Sequence, residues 1–294
     1  MPHIKTSDGV QLYYEETGEG APILFLHEFG GHYQSWEPQV RYFSRRYRCI
    51  TYAARGWPPS DVPDNVGSYS QARAADDCAD VMKALGIATA HLVGLSMGAT
   101  AALEFAIRHP GKARSLVIAA GGGGGATDPE AKARFKAECE AFAQRIEREG
   151  MPAMAELYCA SSARVTYRTK DPRGWGEFKQ QFADGSAKGH AMTMRGVQGA
   201  RAPFFERTEE LKKITEQMLV VIGDEDESTH GLAVHLKKHV PRSGVLELPK
   251  CGHTINLEEP AVFNAAVQDF LHAVENDRWP ARGAKTYTLI PPSR

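Results

Sequence analysis

The sequence predicts an α/β protein built on a mostly parallel sheet with helices on both faces. Three observations carry that expectation. Short apolar runs bounded by turn residues recur along the chain, segments with helical spacing alternate with them, and one such run passes without a loop from strand into helix at Gly94-Leu95-Ser96-Met97-Gly98.

The elements follow in order. Residues 10–14 form a strand after the Asp8-Gly9 turn, and 22–26 are apolar throughout and end at His27, the pattern of a strand buried on both faces. A glycine-rich loop occupies 28–32, and 49–52 make a third strand. Residues 69–85 carry apolar or small side chains at helical spacing, with Ser68 or Ser70 as N-cap and Gly86 as terminator. Residues 91–95 are a buried strand, and 96–107 an Ala-rich helix that stops at His109-Pro110. A strand at 113–120 then leads into the consecutive glycines 121–125.

From 126 to 208 the pattern changes. Residues 129–148 read as an amphipathic helix, with further helical segments at 153–159, 174–182 and 187–197 and no buried strand between them. This stretch is expected to be a helical cap inserted into a core made of 1–125 and 209–275. In the second part of that core, 217–222 and 244–248 resume the sheet and 260–275 form a last helix. The tail, 276–294, is rich in Pro and Arg and shows no core face, so it is expected to wrap the surface or contact a second subunit, which leaves a homodimer open.

The 294 residues include 35 basic and 36 acidic side chains, for a formal net charge of −1. That balance gives no reason to expect nucleic acid or an anionic membrane as partner, and a small neutral molecule is the simpler ligand. Cys49, Cys78, Cys139, Cys159 and Cys251 follow no disulfide or zinc spacing, which predicts a reduced, cytoplasmic setting. The first residues lack the apolar core of a signal peptide, and no run of about 18 apolar residues is present to span a bilayer.

The chemistry begins at Ser96. Gly94-Leu-Ser-Met-Gly98 matches the G-x-S-x-G nucleophile elbow in its proper context, since a buried strand precedes it and a helix starts at once. The turn is so sharp that the residues two before and two after the serine must be small, and it exposes the hydroxyl beside the positive end of a helix. An alcohol is protonated at neutral pH and needs a base. His253 follows the apolar strand 244–248, and the acids 224–227 follow the strand 217–222, so the chain order is Ser, Asp, His. Asp226 is the expected partner of the histidine: three residues beyond Gly223 it can turn back over the sheet, whereas Asp224 is close enough to the strand to fix the turn. The oxyanion of an acyl-transfer intermediate needs two donors, expected from the backbone N–H of Met97 and that of Phe29 or Glu28.

These residues resemble the α/β-hydrolase family over most of the chain, from Val10 to about Glu275. Leu26-His27 with Gly30-Gly31, Arg55-Gly56 with Ser60-Asp61, the elbow with His109-Pro110, Gly223-Asp-Glu-Asp226, and Gly252-His253 with Glu258-Glu259-Pro260 occur in the family order. The resemblance implies an eight-stranded, mostly parallel sheet, a helical cap over the site, and Ser96, Asp226 and His253 as a triad. Two departures stand out. Where the family commonly has His-Gly, Glu28 follows His27, and an inward carboxylate there would repel an anion; outward is the simpler placement. The family's Asp-x-Arg-Gly-His-Gly-x-Ser is Ala53-Ala-Arg-Gly-Trp57-Pro-Pro-Ser60 here.

Glu28, His27, Trp57, Trp175, Phe178 and Phe182 are candidate pocket residues, with Phe204 and Phe205 as further apolar candidates, although each aromatic serves equally to pack cap onto core. Arg195, Arg201 and Lys188 are candidates for a substrate carboxylate, and solvated surface charge is the simpler reading of each. The expected activity is hydrolysis of a carboxylic ester, thioester or lactone of a small, largely apolar substrate, with water as co-substrate. No P-loop, dinucleotide fingerprint or clustered ligand set is present, so neither cofactor nor metal is expected. Carbon–carbon hydrolysis of a vinylogous diketone uses the same triad, and a non-catalytic small-molecule receptor uses the same scaffold. Haloalkane dehalogenase and epoxide hydrolase chemistry are disfavoured, because both place aspartate where Ser96 stands.

Overall fold

The computed structural model describes residues 2–122 and 128–283. Its strands are β1 (His3–Lys5), β2 (Gln11–Thr17), β3 (Ala21–Leu26), β4 (Tyr47–Tyr52), β5 (Ala90–Leu95), β6 (Ala113–Ala119), β7 (Gln217–Gly223) and β8 (Ser243–Leu248). They form one sheet in the order β1-β2-β4-β3-β5-β6-β7-β8. The pairs β1–β2 and β2–β4 are antiparallel and every other pair is parallel, with Leu26 of β3 beside Gly94 of β5. β1 escapes the sequence pattern because it is three residues long and buries only Ile4.

Side-chain alternation divides the core into two layers. Leu24, Leu92, Leu116 and Val220 face one side, where α2 (Gln71–Ala84), α3 (Met97–Arg108) and α9 (Glu227–His239) cover them. Ile23, Phe25, Val93, Val117 and Leu219 face the other, under α1 (Glu37–Phe43) and α11 (Pro260–Glu275). The central strands are covered on both faces, which is why they read as unbroken apolar runs. Ser70 caps α2 by accepting the Arg73 N–H.

Between β6 and β7 lie α4 (Pro129–Cys159), α5 (Ser162–Lys170), α6 (Pro172–Ala183), α7 (Ala187–Thr193) and the short α8 (Thr208–Leu211); α10 (Ile255–Glu258) follows β8. α4 bends at Gly150, whose φ of 79° leaves the helical region, with Pro152 just beyond. α7 runs into a π turn, Met194–Gln198. Ala143, Ile146, Met151, Met154 and Val197 of this helical layer pack with Phe29, Trp57 and Met97 from the carboxyl end of the sheet. The glycines 123–125 and the tail residues 284–294 lie outside the described residues. The part of the tail that is described does have a core contact: Trp279 packs on Phe270 with ring centroids 4.8 Å apart and donates its indole N–H to the Arg242 carbonyl at 2.8 Å. No helix among the described residues is long and apolar enough to cross a membrane.

Candidate active site

Ser96 stands between β5 and α3 with φ 53° and ψ −108°, a conformation that costs an L-residue energy and persists only where its surroundings hold it. Its N–H donates to the Ala119 carbonyl at 2.8 Å, and its carbonyl accepts from the Thr100 N–H at 3.0 Å. The two glycines are required by contact. A Cβ on Gly94 would lie 2.3 Å from the Gly98 carbonyl oxygen, and one on Gly98 would lie 2.0 Å from that of Leu26.

His253 rides on the loop after β8. Its backbone N–H donates to the Ala163 carbonyl of α5 at 2.8 Å, so the helical layer holds this loop as well. The imidazole Nδ1 is 2.5 Å from Asp226 Oδ2. A carboxylate only accepts, so Nδ1 carries the proton and Nε2 presents a lone pair. Asp226 is 2% exposed, and its other oxygen accepts from Ser228 Oγ at 2.7 Å. Burial opposes its ionisation, but the hydrogen bond from His253 and the charge attraction outweigh it and hold the carboxyl below its ordinary pKa. Asp224 does a different job: its Oδ1 accepts the Cys251 N–H at 3.1 Å and ties the two loops together.

The loop after β3 supplies the other wall. His27 is buried; its Nδ1 donates to the Glu28 carbonyl at 2.8 Å, and its Nε2 accepts the Ala54 N–H at 3.0 Å. Burial pulls its pKa down to about 3, so it is neutral and acts as a brace between two loops. The Glu28 carboxylate points neither outward nor into the cavity. It is 1% exposed and pairs with Arg164 of α5, whose guanidinium lies 4.2 Å from the Tyr158 ring centroid and donates to the Tyr158 hydroxyl at 2.9 Å. Among the described residues, neither Met97 N–H nor Phe29 N–H is taken up by another protein group.

Ser96 and His253 open into one cavity of about 420 Å³. Phe29, Gly122 and Ser228 line it from the sheet side, Phe135, Cys139 and Tyr158 from α4, and Met194, Gln198, Arg201 and Phe205 from the π turn and beyond. Of the expected pocket residues, Glu28, His27, Trp57, Trp175, Phe178 and Phe182 do not line it. Phe178 and Phe182 are packing residues at 1% and 2% exposure, and Trp175 donates its indole N–H to the Cys159 carbonyl at 3.1 Å. Trp57 is wedged between His27 and His190, with ring centroids 5.2 and 4.4 Å away. Tyr158, Met194 and Gln198 went unseen because the bend in α4 and the π turn that aim them leave no periodic signal. Ser228 is the one of these residues with a local sequence signal, since it stands two positions past Asp226.

The three basic candidates separate clearly. Arg195 is held by Glu140 and Glu147, and Lys188 by Asp64. Arg201 alone of the three reaches the cavity.

The alpha/beta hydrolase fold family matches residues 21–260 of this chain. The chain is 27% identical over 279 residues to a putative 2-succinyl-6-hydroxy-2,4-cyclohexadiene-1-carboxylate synthase of Bacillus subtilis, covering 92% of this chain and 98% of that protein. It is 26% identical over 266 residues to 3-oxoadipate enol-lactonase 2 of Acinetobacter baylyi, covering 90% and 94%. Among solved structures, a thermophilic esterase from Thermogutta terrifontis superposes with a TM-score of 0.80 at 26% identity, covering 93% of this chain and 98% of that one. With its sheet order, its elbow and a match over most of its length, the chain belongs to the alpha/beta hydrolase fold family.

Proposed function

We propose that the protein is a serine hydrolase that cleaves a carboxylic ester, thioester or lactone of a small, largely apolar substrate through an acyl-enzyme on Ser96. One observation carries this reading: a serine on a strained elbow opens into the same cavity as a histidine whose far nitrogen is occupied by a buried carboxylate. In the reaction, Ser96 Oγ attacks the carbonyl carbon as His253 Nε2 takes its proton. The N–H groups of Met97 and Phe29 meet the oxyanion, donors whose loss commonly costs about 3–4 kcal/mol each. His253 then protonates the leaving oxygen or sulfur, and water, activated by the same imidazole, releases the acid. Asp226 keeps the imidazole in the productive tautomer and stabilises the imidazolium that forms twice per turnover.

Support for an acyl bond comes from the relatives named as an enol-lactonase and an esterase, and the apolar side chains Phe29, Phe135, Met194 and Phe205 on the cavity wall suit a largely apolar substrate. The test is mass spectrometry of the intact protein after a small fluorophosphonate, with peptide mapping, beside hydrolysis of 4-nitrophenyl esters of increasing acyl length. A single adduct on Ser96 with turnover of at least one ester is expected. No adduct and no turnover would overturn the reading and turn attention to carbon–carbon bond cleavage or to binding without chemistry.

A further inference from the structure

The cavity holds a positive charge that the proposed reaction does not use. Arg201 follows the π turn, and its Nη1 donates to Thr100 Oγ1 at 3.2 Å, on the first turn of α3 and four residues beyond Ser96. Its Nη2 lies 3.4 Å from where a Cβ on Gly122 would stand. Its Nε is shielded from solvent and has no hydrogen-bond partner among the described residues. All 36 Asp and Glu residues fall within the described segments, and none of them pairs with Arg201. The other inward arginines are all matched: Arg55 with Asp8 and Asp77, Arg164 with Glu28, Arg207 with Glu104 and Glu210. Burial pulls the Arg201 pKa down to about 10, which still leaves it cationic at neutral pH. A cation without a counter-charge in a partly dry site is costly in the empty protein, and an arriving anion offsets that cost.

We infer that Arg201 receives a carboxylate of the substrate, so that the esters or lactones taken by this site carry one free carboxylate besides the bond that is cleaved. The inference rests on Ser96 as nucleophile and narrows the substrate class. One unmatched guanidinium balances one negative charge, and its planar fork suits the two oxygens of a carboxylate. Its anchor, Thr100, is about one helical turn from Ser96, a rise of about 5–6 Å, so the carboxylate belongs a few carbons from the scissile carbonyl rather than at the end of a long chain. Phe135 and Phe205 then flank the carbon skeleton.

The test compares kcat/KM for 4-nitrophenyl pentanoate with that for the mono-4-nitrophenyl ester of glutaric acid, which has the same chain length and one added carboxylate. Wild type is expected to prefer the anionic ester, and the ratio of the two values should fall roughly 10- to 100-fold in Arg201→Gln, with Arg201→Lys between them. The ratio is the readout because a merely structural role would lower both esters alike; an unchanged ratio overturns the inference. If wild type hydrolyses neither ester, the fluorophosphonate adduct decides the reading of Ser96 separately, and calorimetric binding of glutarate decides the role of Arg201. Glutarate bound by wild type and lost in Arg201→Gln supports it, whereas equal binding, or none by wild type, overturns it.

Discussion

Ser96, Ser228 and His253 follow the carboxyl ends of β5, β7 and β8, whereas Tyr158 and Met194 come from helical segments between β6 and β7 and Arg201 from the chain that follows the π turn. The floor of the cavity is therefore placed by the sheet: parallel neighbours in register put successive strand ends side by side, and close backbone approach at Gly94 and Gly98 leaves the elbow one geometry. The roof is placed by packing around a bent helix, a π turn and a buried ion pair. The difference teaches where chemistry and selectivity reside. Groups on the floor should set the rate, and groups in the roof should set which substrate enters and how firmly the two layers hold together.

The strongest way to break that division is at the nucleophile. Ser96→Ala should lower kcat by about 10⁵- to 10⁶-fold with an unchanged circular dichroism spectrum, because removing a hydroxyl from the elbow leaves no core cavity. Retained ester turnover would move the chemistry elsewhere. Next comes Asp226→Asn, expected to cost about 10⁴-fold through the wrong imidazole tautomer, against a far smaller loss for Asp224→Asn, which affects only the tie to Cys251. Steady-state kinetics giving the reverse ranking would contradict the assignment of the acid.

In the roof the expected effects are on stability. Glu28→Gln strands the buried Arg164 guanidinium and should destabilise the fold by about 3–5 kcal/mol in urea denaturation, and adding Arg164→Met should recover most of that loss. A mild Glu28→Gln phenotype would mean that the pair does not join the layers. The boundary between floor and roof should also respond to acid. His27 and His190 have pKa values lowered by burial from 6.5 to about 3 and about 4, and His91 in the core falls to about 3. Between those values and 6.5 the unfolded chain binds more protons than the folded one, so the stability present above pH 6.5 is lost as pH falls toward 4, by up to about 1.4 kcal/mol per pH unit for each histidine. Thermal melts across that window should show the decline; a flat profile would mean that these rings are not held neutral.

The elbow was legible because its demands are local. Two glycines, an apolar strand and an immediate helix are all written within a dozen residues, and each glycine answers to a steric contact the structure contains. The parallel core was legible for a similar reason, since burial on both faces imposes an apolar run at each strand. Legibility failed where a side chain's surroundings come from distant segments. Phe178 and Phe182 resemble Phe135 and Phe205 in sequence, yet the first two pack inside the helical layer and the last two face the cavity. The tail appeared coreless because one tryptophan, Trp279, makes its contact with Phe270 and Arg242 rather than along a periodic face.

By itself the sequence determined the fold class, the order of Ser96, Asp226 and His253 along it, and the strand ends at which they stand, because these follow from periodicity and backbone contact over short stretches. Only the tertiary structure decided the fate of the charges. Glu28 turned to Arg164, Arg195 to Glu140 and Glu147, and Lys188 to Asp64, while Arg201 was left facing the cavity without an acidic partner. Charge pairing acts through space across scores of residues, so no local pattern distinguishes a matched arginine from one that waits for a ligand.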